Sequence, residues 1–342
     1  MSTFNRRDFM KLAAACSALG LAGASSLMAQ EKLLKVIAWG GAYGEAMRAN
    51  WMDPFASQSG IASEIQLQSS SMETLAALRA NKGRMDDDLW LSAISPATLA
   101  MRDGLLETIP VDKLANAAQL PANMANENFV GVWNLPYGII YNAETTPFEI
   151  KEWTDLKDER LKGKIGAPYG ANYNGLFIAL LAALAGGDEK NVDPGFELAK
   201  AMKPNFSIFT TSDAEQVRLL SSGEIDVIAF APVANYFSLR KAGPQFRFVS
   251  PKPFIPVSIN NIVMLKGADV EAATRFIDFA ISKDAQEGIA KELGCLPINT
   301  QAAVSPELRE VVPADTQFRY MDEPAISTQL SAWNDRWQQE IQ

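Results

Sequence analysis

Trp39 and Tyr43 stand among three glycines in the stretch KVIAWGGAYGEAM, residues 35–47. Val36, Ile37 and Ala38 read as a strand, Gly40, Gly41 and Gly44 as a turn, and the residues beyond as a helix. Such a layout can cradle a phosphate on backbone N–H groups or hold another solute at the strand end. The spacing speaks against the phosphate. A dinucleotide turn needs G-x-G-x-x-G and an acid about 20 residues on. Here the glycines run G-G-x-x-G, and the next strand ends in Gln68 and Ser69. No Gly-Lys-Ser/Thr follows, which excludes a P-loop. Two readings remain: a solute site floored by Gly40 and Gly41 and walled by Trp39 and Tyr43, or two core aromatics beside a turn.

Composition narrows the chemistry further. The chain of 342 residues contains no histidine. That removes Ser-His-Asp and Cys-His nucleophiles and His-ligated metals. A net charge of −9 without a basic run makes nucleic acid a poor partner. Asp86, Asp87 and Asp88 lack further oxygen ligands at metal-site spacing and read as a solvated strand entrance. An iron-binding tyrosine pair is absent, since Tyr169 and Tyr173 are four apart. The expectation is a protein that is not an enzyme and takes neither cofactor nor metal. A periplasmic enzyme working without histidine, through carboxylates or a lysine, is the reading from another class.

Residues 1–29 read as a leader. Arg6-Arg7-Asp8-Phe9-Met10-Lys11 resembles a twin-arginine export signal, and an apolar small-residue run follows it to Ala29. Cleavage after Ala29 or after Ser26 fits. The leader holds Cys16, so only Cys295 remains and no internal disulfide can form. The longest later apolar run, LFIALLAALAGG at 176–187, falls short of the roughly 18 residues a membrane span needs. The expected product is exported to the periplasm and does not span a membrane.

Strand-like and helical runs alternate through the rest, the mark of an α/β chain. Strands are expected at 35–39, 63–68 and 87–94 and helices at 43–60, 69–84 and 96–104. Met47, Trp51 and Phe55 recur at i, i+4 and i+8, and Ser70 with Glu73 forms a capping box. Two long extended segments, near 132–142 and 257–266, bracket a central α/β block. Within it lie a helix at 174–187, a strand at 206–211, and a second capping box, Ser212 with Glu215, opening a helix that Gly223 ends. Trp333 and Trp337 mark an aromatic helical tail. The chain leaves one lobe, builds a second and returns. Two crossing strands make a hinge, and the cleft between lobes is where a ligand binds.

The order of motifs VIAWGGAYGEAMRANWMDPFASQSGI, LPYGIIYN, WTDLKDERLKGKIGAP, LLSSGEIDVIAF and LRKAGPQFRFVSPK resembles the spermidine/putrescine-type periplasmic substrate-binding proteins of ABC transporters. The resemblance covers nearly all of the chain beyond the leader. It implies an α/β, two-lobed periplasmic-binding-protein fold of type II, with lobe 1 at 30–138 plus 259–297 and lobe 2 at 139–258 plus 298–342. It implies a monomer that captures a small organic solute, provisionally a polyamine, and delivers it to an inner-membrane ABC permease. An amino-acid-like or carboxylate solute is the alternative, and delivery to a chemoreceptor is a further possibility.

Polyamine binders of this family box an alkyl-ammonium between aromatics and pin it with carboxylates. Trp39 and Tyr43 match the first wall. The second departs: Pro232, Val233, Ala234 and Asn235 stand where relatives show Trp-Asn-Gly-Arg, and Ser258, Ile259 and Asn260 where they show Trp-Gly-Asp. The expected carboxylate is therefore missing from its place, which leaves room for a neutral or zwitterionic solute. Ser92, Asn172, Tyr173, Asn174, Pro232, Asn235, Ser258 and Asn260 complete the candidate ligand residues. Asn172 and Asn174 serve equally well as caps of the helix that follows, and Asn260 as a partner for hinge backbone.

Overall fold

The computed structural model describes residues 33–342. The leader expected over 1–29 lies outside them. Parallel strands β1 (Leu33–Ala38), β2 (Ala62–Leu67) and β3 (Leu89–Ala93) open the sheet. The short α1 (Gly41–Met47), α2 (Asp53–Ser59), α3 (Ser71–Ala80) and α4 (Ile94–Arg102) connect them or follow. The strand β4 (Leu106–Glu107) leads to the long β5 (Val130–Asn142). Then come β6 (Ile165–Pro168), α5 (Leu176–Leu184), α6 (Asp193–Met202), β7 (Phe206–Thr210), α7 (Asp213–Ser222), β8 (Val227–Pro232), α8 (Val233–Ala242) and β9 (Phe246–Val249). The chain returns through β10 (Ile255–Leu265) to α9 (Val270–Ala280), α10 (Lys283–Leu293), β11 (Leu296–Pro297), α11 (Pro306–Val311), β12 (Phe318–Tyr320) and α12 (Glu323–Glu340).

The sheet runs β2-β1-β3-β10-β5-β8-β6-β7. The two expected extended segments are its central strands, β5 and β10. Residues 130–136 of β5 pair antiparallel with β10; from Tyr137 onward the same strand pairs with β8 and β9. Its sequence, VGVWNLPYGIIYN, is apolar almost throughout because nearly every residue is buried. Gly138 sits where β9 comes close, and a Cβ there would overlap the Val249 carbonyl oxygen.

The helix expected over 43–60 is divided. Between α1 and α2 the chain widens into a π segment, Arg48–Met52, in which the Asp53 N–H bonds the Arg48 carbonyl five residues back. Pro54 has no N–H to offer the Asn50 carbonyl, so the regular ladder cannot continue through it. Trp51 and Phe55 still face the core, and Gly60 ends the run in a left-handed turn. Both expected capping serines are in place: Ser70 accepts from the Glu73 N–H and Ser212 from the Glu215 N–H. Asp88 fastens strand ends, accepting from the backbone N–H of Lys35 and of Asp269. Among the described residues, no helix is long and apolar enough to cross a membrane.

Trp337 locks α12 onto the second half. Its ring contacts Phe177, Phe196 and Phe209 with centroids 5.9, 6.1 and 6.3 Å away, and it is 1% exposed. Removing a buried tryptophan ring loses its transfer energy and leaves a cavity. Trp337→Ala is therefore expected to lower the unfolding free energy by about 3–5 kcal/mol, measured by urea denaturation.

Candidate functional site

A cavity of about 220 Å3 lies at the carboxyl ends of the parallel strands, where α/β sheets place ligands. Trp39 after β1 and Ala93 at the end of β3 wall it on one side, with Tyr43 in α1. Leu135 and Tyr137 of β5 and Ser258 and Asn260 of β10 form its floor. Tyr173, Asn174, Leu176 and Asp213 close it from the second half.

The aromatic rings are held by one another. Trp39 and Tyr43 lie 6.1 Å apart at 53°. Tyr137 stacks on Phe230 at 4.8 Å and meets the Tyr173 ring edge-on at 5.2 Å. Tyr173 and Asn174 are non-glycine residues with positive φ, 51° and 54°, a conformation that costs energy and clusters at ligand sites. Their segment is retained because Asn172 binds it twice: its amide donates to the Thr210 carbonyl and its oxygen accepts from the Tyr173 N–H. No side chain caps the start of α5.

Asp213 begins α7, where the helix N-terminus favours a carboxylate. Its Oδ1 accepts the Tyr173 hydroxyl at 2.5 Å and the Asn235 amide at 3.1 Å. The Gln216 oxygen accepts the Asn235 amide at 3.0 Å and lies 3.0 Å from the Tyr173 hydroxyl, whose one hydrogen is shared between it and Asp213; the Gln216 amide donates to Thr210 and the Phe230 carbonyl. Oδ2 of Asp213 receives no hydrogen bond from the described residues. Burial raises the Asp213 carboxyl above its ordinary range, opposed by the bonds from Tyr173 and Asn235. Burial likewise raises the phenols of Tyr43, Tyr137 and Tyr173, so all three are neutral near pH 7. Among the described residues, no lysine or arginine lines the cavity.

Of the residues singled out in the sequence, Trp39, Tyr43, Tyr173, Asn174, Ser258 and Asn260 line this space. Gly40 and Gly41 turn the chain from β1 into α1, Gly41 at φ +59°. Ser92 is fully buried behind the wall, its hydroxyl on the Ala93 carbonyl. Asn172 and Asn235 support Tyr173 and Asp213 from outside the cavity. Pro232 ends β8 opposite Tyr137. The expectation that the site lacks a carboxylate is corrected: Asp213 supplies one from the end of β7, a different strand end from the Ser258-Ile259-Asn260 segment. Its only signal in the sequence was its place inside the Ser212–Glu215 capping box, where it reads as an ordinary first-turn acid. Tyr137 was visible within LPYGIIYN without its role.

A second carboxylate stands behind the floor. Glu323, in the first turn of α12 and 2% exposed, accepts the Ser258 hydroxyl on Oε1 at 3.0 Å. Its Oε2 has no partner. Burial pushes its carboxyl up from 4.5 to about 7, with the Ser258 bond opposing. The folded state thus holds this proton longer than the unfolded chain. The associated stability is full below pH 4.5 and is lost as pH rises to about 7, an effect of about 3 kcal/mol. Glu323→Gln is expected to remove that decline, read as a flatter unfolding free energy against pH over this window.

Comparison with known proteins places the chain. A search of curated proteins returned no match. An ABC transporter substrate-binding protein of Bradyrhizobium japonicum superposes with a TM-score of 0.79 at 20% identity, covering 91% of this chain and 100% of that one. AgtB of A. tumefaciens R10, in complex with agropinic acid, gives 0.73 at 20% identity over 91% and 98%. AfuA of Actinobacillus pleuropneumoniae, with fructose 6-phosphate bound, gives 0.72 at 24% identity over 91% and 99%. The fold is the two-lobed fold of periplasmic binding proteins, in which β5 and β10 are the crossing strands. The model of the bacterial extracellular solute-binding proteins matches residues 50–319, and the chain belongs to that family.

Proposed function

We propose that this solute-binding component of an ABC transporter captures a small cationic amine of the putrescine or spermidine kind in the periplasm. It then hands the amine to the inner-membrane permease. The observation that carries this reading is Asp213: a carboxylate with Oδ2 free, in a cavity walled by Trp39, Tyr43, Tyr137 and Tyr173 and lined by no lysine or arginine. A partly desolvated carboxylate gains most from a positive partner, and aromatic faces attract the same cation. An acid or a phosphate ester would meet Asp213 with like charge. The small cavity suits a small solute, since ligand pockets commonly run to roughly 300–1,000 Å3. The proposal includes export by the leader at 1–29, a monomer, and lobes divided at 138/139, 258/259 and 297/298.

A zwitterion is the second reading. Asn174, Ser258 and Asn260 are uncharged hydrogen-bonding groups able to receive the other end of an amino-acid-like solute whose amine meets Asp213. Melting scans with putrescine, spermidine, amino acids and dicarboxylates separate the two. A ligand at 100 times its Kd stabilises the folded form by about 2.7 kcal/mol. Putrescine and spermidine are expected to raise the Tm; stabilisation by dicarboxylates alone sinks the amine reading.

Two variants follow the same logic. Asp213→Asn keeps the shape and removes the charge, and is expected to weaken amine binding about a hundredfold or more by calorimetry. Trp39→Ala is expected to abolish binding while cooperative unfolding persists; a variant that cannot fold would make Trp39 a core residue instead.

A further inference from the structure

Glu323 stands outside the cavity lining. It is buried, one of its oxygens has no partner, and its single bond goes to Ser258, which lines the cavity. α12 packs against residues 172–175 and α4, with Ile326 and Leu330 against Gly175 of the segment that carries Tyr173 and Asn174. Ser258 thus stands between Glu323 and the cavity that Asp213 also lines.

We propose that Glu323 is a second, concealed carboxylate of the solute site, which gives up a proton when a cationic solute enters and then holds the Ser258 hydroxyl as an acceptor facing that solute. This rests on the amine reading above. Among the described residues no charged group compensates an ionised Glu323: burial and the Ser258 bond are the influences on it. The groups around it explain why. Ser258 and Asn260 of β10 are uncharged, while Tyr137 of β5 and Tyr173 of the 172–175 segment are neutral phenols. α4 carries only Arg102, in its last turn, and α5 carries no titratable residue. Asp193 and Lys200 of α6 pair with Arg336 and Glu340 at the far end of α12. Of the nearby β12 residues, Arg319 lies over the Phe254 ring and the Tyr320 hydroxyl accepts from Asn134. On its own helix, Asp322 caps the N-terminus.

A cation beside Ser258 changes this balance, because an opposite charge a few ångströms away favours the carboxylate. The O–H bond of Glu323 breaks, the electron pair stays on the carboxylate, and the proton passes to water. Ser258 keeps donating to Glu323 and turns its lone pairs toward the ammonium N–H. An amine is thereby favoured twice, by Asp213 in the cavity lining and by the charge that its arrival creates.

The test uses the full chain and putrescine. Infrared spectra of the empty protein, wild type minus Glu323→Gln, are expected to show the carbonyl band of a protonated acid at pH 6 that fades by pH 8. Calorimetry at pH 7 in two buffers of different ionisation enthalpy is expected to give release of about half a proton per putrescine, and none in Glu323→Gln. Affinity is expected to rise by up to tenfold per pH unit below pH 7. Ser258→Ala, which keeps the acid and removes its link to the solute, is expected to weaken putrescine while its acid band persists to higher pH. Absence of a titrating band overturns the proposal, and if putrescine still binds, the amine reading stands alone. Binding without proton release, or with equal release in Glu323→Gln, also overturns it. A titrating band with no stabilisation by any amine sinks the amine reading and the coupling together.

Discussion

Thirteen residues of β5 hydrogen-bond to both halves of the sheet in turn, and the rest of the molecule depends on that shared strand. A backbone N–H or carbonyl buried without a partner costs as much as a lost hydrogen bond. The strand must therefore be paired along its whole length, first by β10 and then by β8 and β9. Each half is built outward from those pairings. The point of exchange, at Pro136 and Tyr137, is the point where Ser258 of β10 and Asp213 beyond β7 come to the same cavity.

Around that point, structural requirement and ligand chemistry overlap. Tyr173 serves three purposes at once: its ring meets Tyr137, its hydroxyl holds Asp213, and its backbone adopts a strained left-handed conformation. Asn172, Asn235 and Gln216 hold these groups from outside, leaving one Asp213 oxygen open to the cavity. Such a network limits the rotamers of the residues it holds, so the site is formed before a solute arrives.

Much of the architecture was legible in the sequence because it rests on local signals. The capping serines Ser70 and Ser212, the glycine ends at Gly60 and Gly223, and the two long apolar runs all announce themselves within a few residues. The π segment at Arg48–Met52 was not anticipated, although Pro54 was in plain view. Periodicity alone kept Met47, Trp51 and Phe55 on one face, and a single widened turn does not disturb that pattern enough to show.

The site divides along the same line. The sequence by itself determined the glycine turn with its two aromatics, the absence of histidine chemistry, and the two segments that cross between halves. Only the tertiary structure decided which acids stand at the cavity, Asp213 in its lining and Glu323 behind Ser258. Asp213 looked like a helix-capping acid and Glu323 like one of many acids on a tail helix, far in sequence from Trp39. Propensity and capping act over a few residues, whereas the placing of Asp213 on the cavity and of Glu323 against Ser258 depends on strand order and on the position of α12. A short-range signal cannot carry that information, because the side chains concerned become neighbours only when the sheet has closed.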